Sequence, residues 1–282
     1  MASVVPLQRE TAWPGGAENR AGRHKVRFLG PSEGRTIVFS HGLGTDQTSW
    51  RAVVKHLPPG CRAMLFDLPG AGPLLPLDFD PDAYTSLAPF ADDLLRLLDE
   101  TGVERCVYVG HSVSGMIGAL ASIEAPERFE RLILLNASPR YLNDNDNDYI
   151  GGFGAADLDG LFGAMSANYQ NWVAGFAPLA VGADVPAAVR EFSDGLLAMR
   201  PDITARIARA IFESDVRHLL HLVQVPTALV HARGDIAVPE AVAHYLHAHI
   251  VGSSLEWIEA EGHLPHLSAP QEIVRVLHAQ LG

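Results

Sequence analysis

The sequence predicts a doubly wound α/β domain, in which a mostly parallel sheet carries helices on both faces and a helical block is inserted late in the chain. Three observations predict it. Short β-rich runs recur that are apolar throughout rather than alternating, the pattern of strands buried on both faces. Amphipathic helical stretches separate them. The alternation stops at Ala137 and resumes at Val225.

Residues 1–22 hold Pro6, Pro14, Gly15, Gly16 and Gly22 without sustained periodicity, so they read as a flexible leader outside the fold. A strand is expected over residues 25–29, then a turn, then a strand over 36–40 that ends near Gly42 and Gly44. Further strands are expected at 63–66, 106–109 and 132–135. Residues 84–100 form the clearest helix, with Leu87, Phe90, Leu94, Leu97 and Leu98 on one face and Asp92, Asp93, Arg96 and Asp99 on the other. Helices at 158–168, 172–181, 186–199 and 201–212 make residues 137–212 a cap inserted into a core of residues 23–136 and 213–282. The core closes with a strand at 227–231, a helix at 239–249, a strand at 255–258 and a helix at 271–281.

Composition narrows the function. The 282 residues are 48% hydrophobic and 19% charged, enough apolar mass for a core. Acidic residues outnumber basic ones 33 to 21, for a formal net charge of −12, which disfavours nucleic acid and anionic lipid as partners. Neither a membrane span nor a secretory signal is recognisable, and the two cysteines, Cys61 and Cys106, cannot build a disulfide framework. A cytoplasmic protein is expected, with Cys106 a small buried hydrophobe.

Chemistry concentrates at Gly110-His111-Ser112-Val113-Ser114-Gly115. A strand runs into a tight turn and a helix begins at once, which lifts the Ser112 hydroxyl out of the sheet. Such an elbow needs small flanking residues, and Ser114 stands where G-x-S-x-G has its second glycine. The bland alternative is a strand–helix turn with an incidental serine. A serine nucleophile needs a base and an orienting carboxylate, which in this kind of fold follow in the order Ser, Asp or Glu, His, each after a late strand. Asp235 follows the strand at 227–231 and His263 follows that at 255–258. The oxyanion donors are assigned to the backbone N–H groups of Val113, at the elbow helix, and Leu43, in the glycine-bearing loop after Ser40.

Two other clusters carry less. His244, His247 and His249 share a helix, with His266 near His263, but no H-E-x-x-H is present and a solvated face is the simpler reading. The run 143–148 has calcium-loop composition but lacks the glycine at Tyr149 and the glutamate at Ala155, so it reads as a solvated loop. Neither a metal nor a cofactor is expected.

The stretches 41–47, 110–118, 137–144, 151–153, 171–180 and 262–268 together resemble the α/β-hydrolases of the RsbQ and strigolactone/karrikin-receptor group, over roughly residues 26–281. The resemblance implies the α/β-hydrolase fold, with a mostly parallel central sheet and a four-helix cap over a small apolar pocket. It implies Ser112, Asp235 and His263 as the triad, and His111, Tyr141, Phe153, Trp172, Phe176, Phe192, Phe212 and Val238 as pocket residues. The prolines around Asp67-Leu68-Pro69-Gly70 and a longer loop at 143–148 depart from that group.

The expected function is hydrolysis of a small apolar ester or lactone, butenolide-like by resemblance, through an acyl-enzyme. The resemblance also allows a ligand sensor of the same fold that hydrolyses slowly and acts through a protein partner. Hydroxynitrile lyases and cofactor-free oxygenases can share such a triad. A dehalogenase would need a carboxylate in place of Ser112.

Overall fold

A computed structural model describes residues 11–12, 20–72, 80 and 82–282. The predicted leader at 1–10 and 13–19 lies outside the described residues. Thr11–Ala12 (β1) and Arg20–Arg23 (α1) are followed by β2 (Arg27–Leu29), β3 (Arg35–Ser40), α2 (Arg51–Val54), β4 (Cys61–Leu65), α3 (Ala88–Glu100), β5 (Cys106–His111), α4 (Val113–Glu124) and β6 (Phe129–Leu135). Four helices come next: α5 (Ala155–Ala167), α6 (Tyr169–Val181), α7 (Pro186–Ala198) and α8 (Pro201–Phe212). The chain closes with β7 (Thr227–Arg233), α9 (Glu240–His249), β8 (Ser254–Glu261), α10 (Pro265–Ser268) and α11 (Pro270–Leu281).

The strands form a single sheet in the order β1-β2-β4-β3-β5-β6-β7-β8. The β1–β2 and β2–β4 pairs are antiparallel, and the remaining pairs, from β4 through β8, are parallel. The wholly apolar strands are explained by the two layers they feed. Successive side chains alternate faces, so Val38, Tyr108 and Leu134 join one core with α3 and α4. Ile37, Phe39, Val107, Val109 and Leu135 join the other, with Trp50 and with Ile273, Val276 and Leu277 of α11. Burial pushes the Cys106 thiol up to about 12, which leaves it a space-filling side chain.

Three sequence expectations are corrected. Part of the predicted leader is built in: β1 pairs with β2, Ala21 is fully buried, and its N–H donates to Glu100. The helix expected at 84–100 begins at Ala88, where Pro89 occupies the first turn and needs no backbone donor. The loop at 143–148 is more than a solvated turn. Asn143 Oδ1 accepts the N–H groups of Gly151 and Gly152, and Asp144 pairs with Arg217 at 2.7 Å. Among the described residues no helix is long and apolar enough to cross a membrane.

Of the four helices between β6 and β7, α7 and α8 pack against loops at the carboxyl ends of β3 and β4. A Cβ on Gly44, in the loop after β3, would meet Phe192 and Leu196 of α7, and one on Gly70, after β4, would meet Ile207 of α8. The segments that flank these four helices in the chain are laced together. Arg140 pairs with Asp215 at 2.5 Å, Arg217 pairs with Asp215 at 2.7 Å, and the Arg217 guanidinium lies 4.6 Å over the Tyr149 ring. Partial burial opposes ionisation of Asp215, but hydrogen bonds from Arg217 and Arg140 outweigh it and bring the carboxyl down to about 2. A carboxyl depressed on folding stabilises above its unfolded pKa, and that contribution fades as pH falls toward the folded value. Asp215→Asn is therefore expected to lower unfolding stability by about 1–2 kcal/mol at pH 7. The difference from wild type should shrink steadily between about pH 4 and pH 2. Urea melts across that range check it, and a gap that stays constant counts against the account.

Candidate active site

Strand β5 ends in backbone that cannot relax. Ser112, the N-cap of α4, has φ 57° and ψ −124°, a conformation that costs a non-glycine residue on the order of 1–3 kcal/mol. It is held there from both sides. The Ser112 N–H donates to the Leu135 carbonyl of β6 at 2.8 Å, and the Gly115 N–H donates to the Ser112 carbonyl at 2.9 Å. Gly110 is required by close approach, since a Cβ there would lie 2.5 Å from the Ser114 carbonyl. The turn aims the Ser112 side chain at His263: Oγ and Nε2 are 2.8 Å apart. His263 Nδ1 lies 2.7 Å from Asp235 Oδ2, so a neutral ring with hydrogen on Nδ1 donates to the carboxylate and accepts the serine hydroxyl.

The carboxylate is fully engaged. Asp235 Oδ1 accepts the N–H groups of Ala237 and Val238 at 2.8 and 3.0 Å, and Oδ2 also accepts Asn136 Nδ2 at 2.9 Å. Asn136 was missed by sequence reasoning. It sits just past β6, fully buried, with φ 46°. Its amide also donates to the Gly262 carbonyl at 2.9 Å and accepts the Ala232 N–H at 2.9 Å. One side chain thus ties together the segments that carry the carboxylate and the imidazole. An asparagine at a strand end has no periodic signal to betray this, although its position beside Ala137, where the alternation breaks, was visible.

The His263 loop is also pinned to α6. The His263 N–H donates to the Ala180 carbonyl of α6 at 2.8 Å, and a Cβ on Gly262 would lie 1.9 Å from the Val181 carbonyl. Behind it stand neutral histidines. Burial first, then the neighbouring His266 and His263, pushes His111 well below its ordinary value, and its Nε2–H donates to the His263 carbonyl at 2.7 Å. Burial lowers His41 as well. Leu68 N–H donates to its Nε2, so its Nδ1 carries the hydrogen bonded to the Gly42 carbonyl. His266 is stacked on Trp50 with ring centroids 4.6 Å apart. His244, His247 and His249 are exposed on α9, well separated in character from the buried His266.

A small apolar cavity adjoins the elbow at Val113. Leu43 and Val113, the assigned oxyanion donors, both border it, and neither backbone N–H is taken by another described protein group. Its walls come from Leu68, Phe90, Ile117, Met199, Ile207 and Ile211. None of the predicted pocket residues lines this cavity, and neither does Ser112 or His263. The predicted pocket aromatics pack on one another. Phe212 packs on Tyr141 and Phe153 at 5.1 and 5.3 Å, and Trp172 stacks on Phe176 at 5.0 Å, itself 6.1 Å from Phe192. His111 lies behind the elbow, and Val238 is buried while its N–H binds Asp235. Tyr141 does touch the site: its hydroxyl is 3.3 Å from Ser112 Oγ, and burial raises its phenol above the usual range, so it stays protonated.

The sequence profile of the Alpha/beta hydrolase family matches residues 37–276. The chain belongs to that family. Strigolactone esterase D14 of Arabidopsis thaliana is 49% identical over 257 residues, spanning 91% of this chain and 95% of that protein. Karrikin insensitive 2 receptor CA of Petunia hybrida is 47% identical over 256 residues, spanning 90% of this chain and 94% of that protein. A solved hydrolase from Oleispira antarctica superposes with a TM-score of 0.88 at 30% identity, covering 94% of this chain and 96% of that one.

Two outcomes follow from the site. Asn136→Ala strands a buried carboxylate oxygen, a carbonyl and an N–H, and is expected to cost about 2–3 kcal/mol, read from the urea midpoint. Burial, then the His263 and His41 rings, brings His266 down to about 3, so it is neutral when folded but takes a proton near pH 6.5 when unfolded. Unfolded chain then binds more protons, and stability falls as pH drops from about 6.5 toward 3. His266→Phe keeps the stack on Trp50 and should flatten this acid limb by up to about 1.4 kcal/mol per pH unit. An acid limb of unchanged slope rules that origin out.

Proposed function

We propose that this protein is a serine hydrolase of small apolar esters or lactones, with residues 137–212 as the cap over its site. The observation that carries the reading is the hydrogen-bonded chain from Ser112 Oγ through His263 to Asp235, at 2.8 and 2.7 Å. His263 Nε2 takes the hydroxyl proton as Ser112 Oγ attacks the substrate carbonyl. Asp235 keeps the ring in the tautomer with hydrogen on Nδ1 and stabilises the imidazolium that forms. The N–H groups of Leu43 and Val113 receive the developing oxyanion, the step at which preorganised donors contribute most. His263 then returns the proton to the leaving oxygen, and the same groups activate water to release the acid. The apolar walls beside the oxyanion donors favour a compact hydrocarbon-rich substrate, and the similarity to a strigolactone esterase points to a butenolide-type lactone.

A second reading is supported by the similarity to proteins named karrikin receptors: a sensor that turns ligand over slowly and signals through a protein partner. Both readings use the same hydroxyl. Ser112→Ala is expected to lower turnover of an aryl ester on the order of a millionfold. Wild-type protein quenched during turnover should carry the acyl group on Ser112 by peptide mass spectrometry. Steady multiple turnover favours the enzyme. A ligand-dependent rise in melting temperature with negligible turnover favours the sensor. Retained activity in folded Ser112→Ala excludes the mechanism.

A further inference from the structure

Ser114 stands where the nucleophile turn ordinarily has glycine, and the mechanism above gives it no task. Its side chain is fully buried. The hydroxyl accepts from Ser40 Oγ at 2.8 Å and donates to the His41 carbonyl at 2.5 Å, while the Ser114 carbonyl accepts the Tyr108 hydroxyl at 2.8 Å. A buried hydroxyl is retained at no net cost only when its bonds are satisfied, and here both partners belong to the segment leading from β3 into the oxyanion loop. Glycine would make neither bond.

We propose that Ser114 is a positioning residue for the oxyanion hole, its hydroxyl fixing the distance between the two donors. The inference rests on the reading of Ser112 as nucleophile and of Leu43 and Val113 as donors. Val113 and Ser114 are consecutive in the first turn of α4, and the His41 carbonyl is two residues before Leu43. The Ser114–His41 bond therefore joins the two donor-bearing elements beside the place where the charge develops. Other bonds shape the loop differently. The Gly42 carbonyl accepts from His41 Nδ1 and Thr45 Oγ1, and His41 Nε2 accepts from Leu68. Those bonds hold the loop to itself and to the segment after β4. The Ser114 hydroxyl holds it to α4. Gly42 completes the fit, since a Cβ there would lie 2.7 Å from His111 Nδ1 and 3.1 Å from Ser112 Cβ.

Donors held in place before reaction stabilise the transition state more than the ground state, so losing the tie should appear in kcat rather than KM. The test compares wild type, Ser114→Ala, Ser114→Gly and Ser112→Ala in p-nitrophenyl acetate hydrolysis. It also measures inhibition by phenylboronic acid, whose boron bonds to Ser112 Oγ and presents a tetrahedral oxyanion. Both Ser114 variants are expected to lower kcat by about 10- to 100-fold. KM should stay within about twofold, and the inhibition constant should rise in step with the loss of kcat. Ser114→Gly inserts the residue this turn ordinarily carries, so a folded variant is available even if Ser114→Ala unfolds. A folded Ser114 variant with kcat within twofold of wild type overturns the inference, as does a kcat loss without weaker boronate inhibition. Turnover that survives in Ser112→Ala instead defeats the nucleophile reading itself.

Discussion

The site depends on a single strained residue. Ser112 is held at φ 57° by hydrogen bonds from two directions, and the energy stored there is supplied by the packed sheet beneath it. Strand β5 is central, flanked by β3 and β6, and buried along its whole length. Only such a strand can deliver a side chain to the carboxyl edge of the sheet with so little freedom. The elbow in turn sets where α4 begins, and hence where the Val113 N–H points.

Around that elbow, buried polar groups do the joining that apolar packing cannot. Asn136 links β6 to the segments bearing Asp235 and Gly262. His111 reaches from the residue before Ser112 to the carbonyl of His263. Each bond lies in a region of low dielectric, where a satisfied polar network rigidifies and a broken one is costly. Neutral histidines suit this role because they offer one donor and one acceptor without the desolvation penalty of a charge.

Much of this was legible in the sequence, for reasons that can be named. The parallel strands announced themselves because both faces are covered, which makes runs such as 106–109 apolar at every position. The residues Ser112, Asp235 and His263 stood out because each follows a strand, in an order this architecture permits. What escaped was information with no local pattern. Asn136 acts through partners about a hundred residues away, and β1 is a two-residue pairing that no periodicity can mark. Which aromatic residues face a ligand has no local pattern either, because such side chains can line a cavity or pack on one another, and tertiary seating makes that choice.

The contact between α6 and the His263 loop has a mechanical meaning. The amide of the imidazole-bearing residue is hydrogen-bonded to the Ala180 carbonyl, and Gly262 lies so close to Val181 that no side chain fits between them. Helix α6 therefore cannot tilt at this edge while the His263 ring stays where it is. Displacement of the helix either drags the imidazole with it or severs the link, so the seating of α6 and the position of the His263 ring form one degree of freedom.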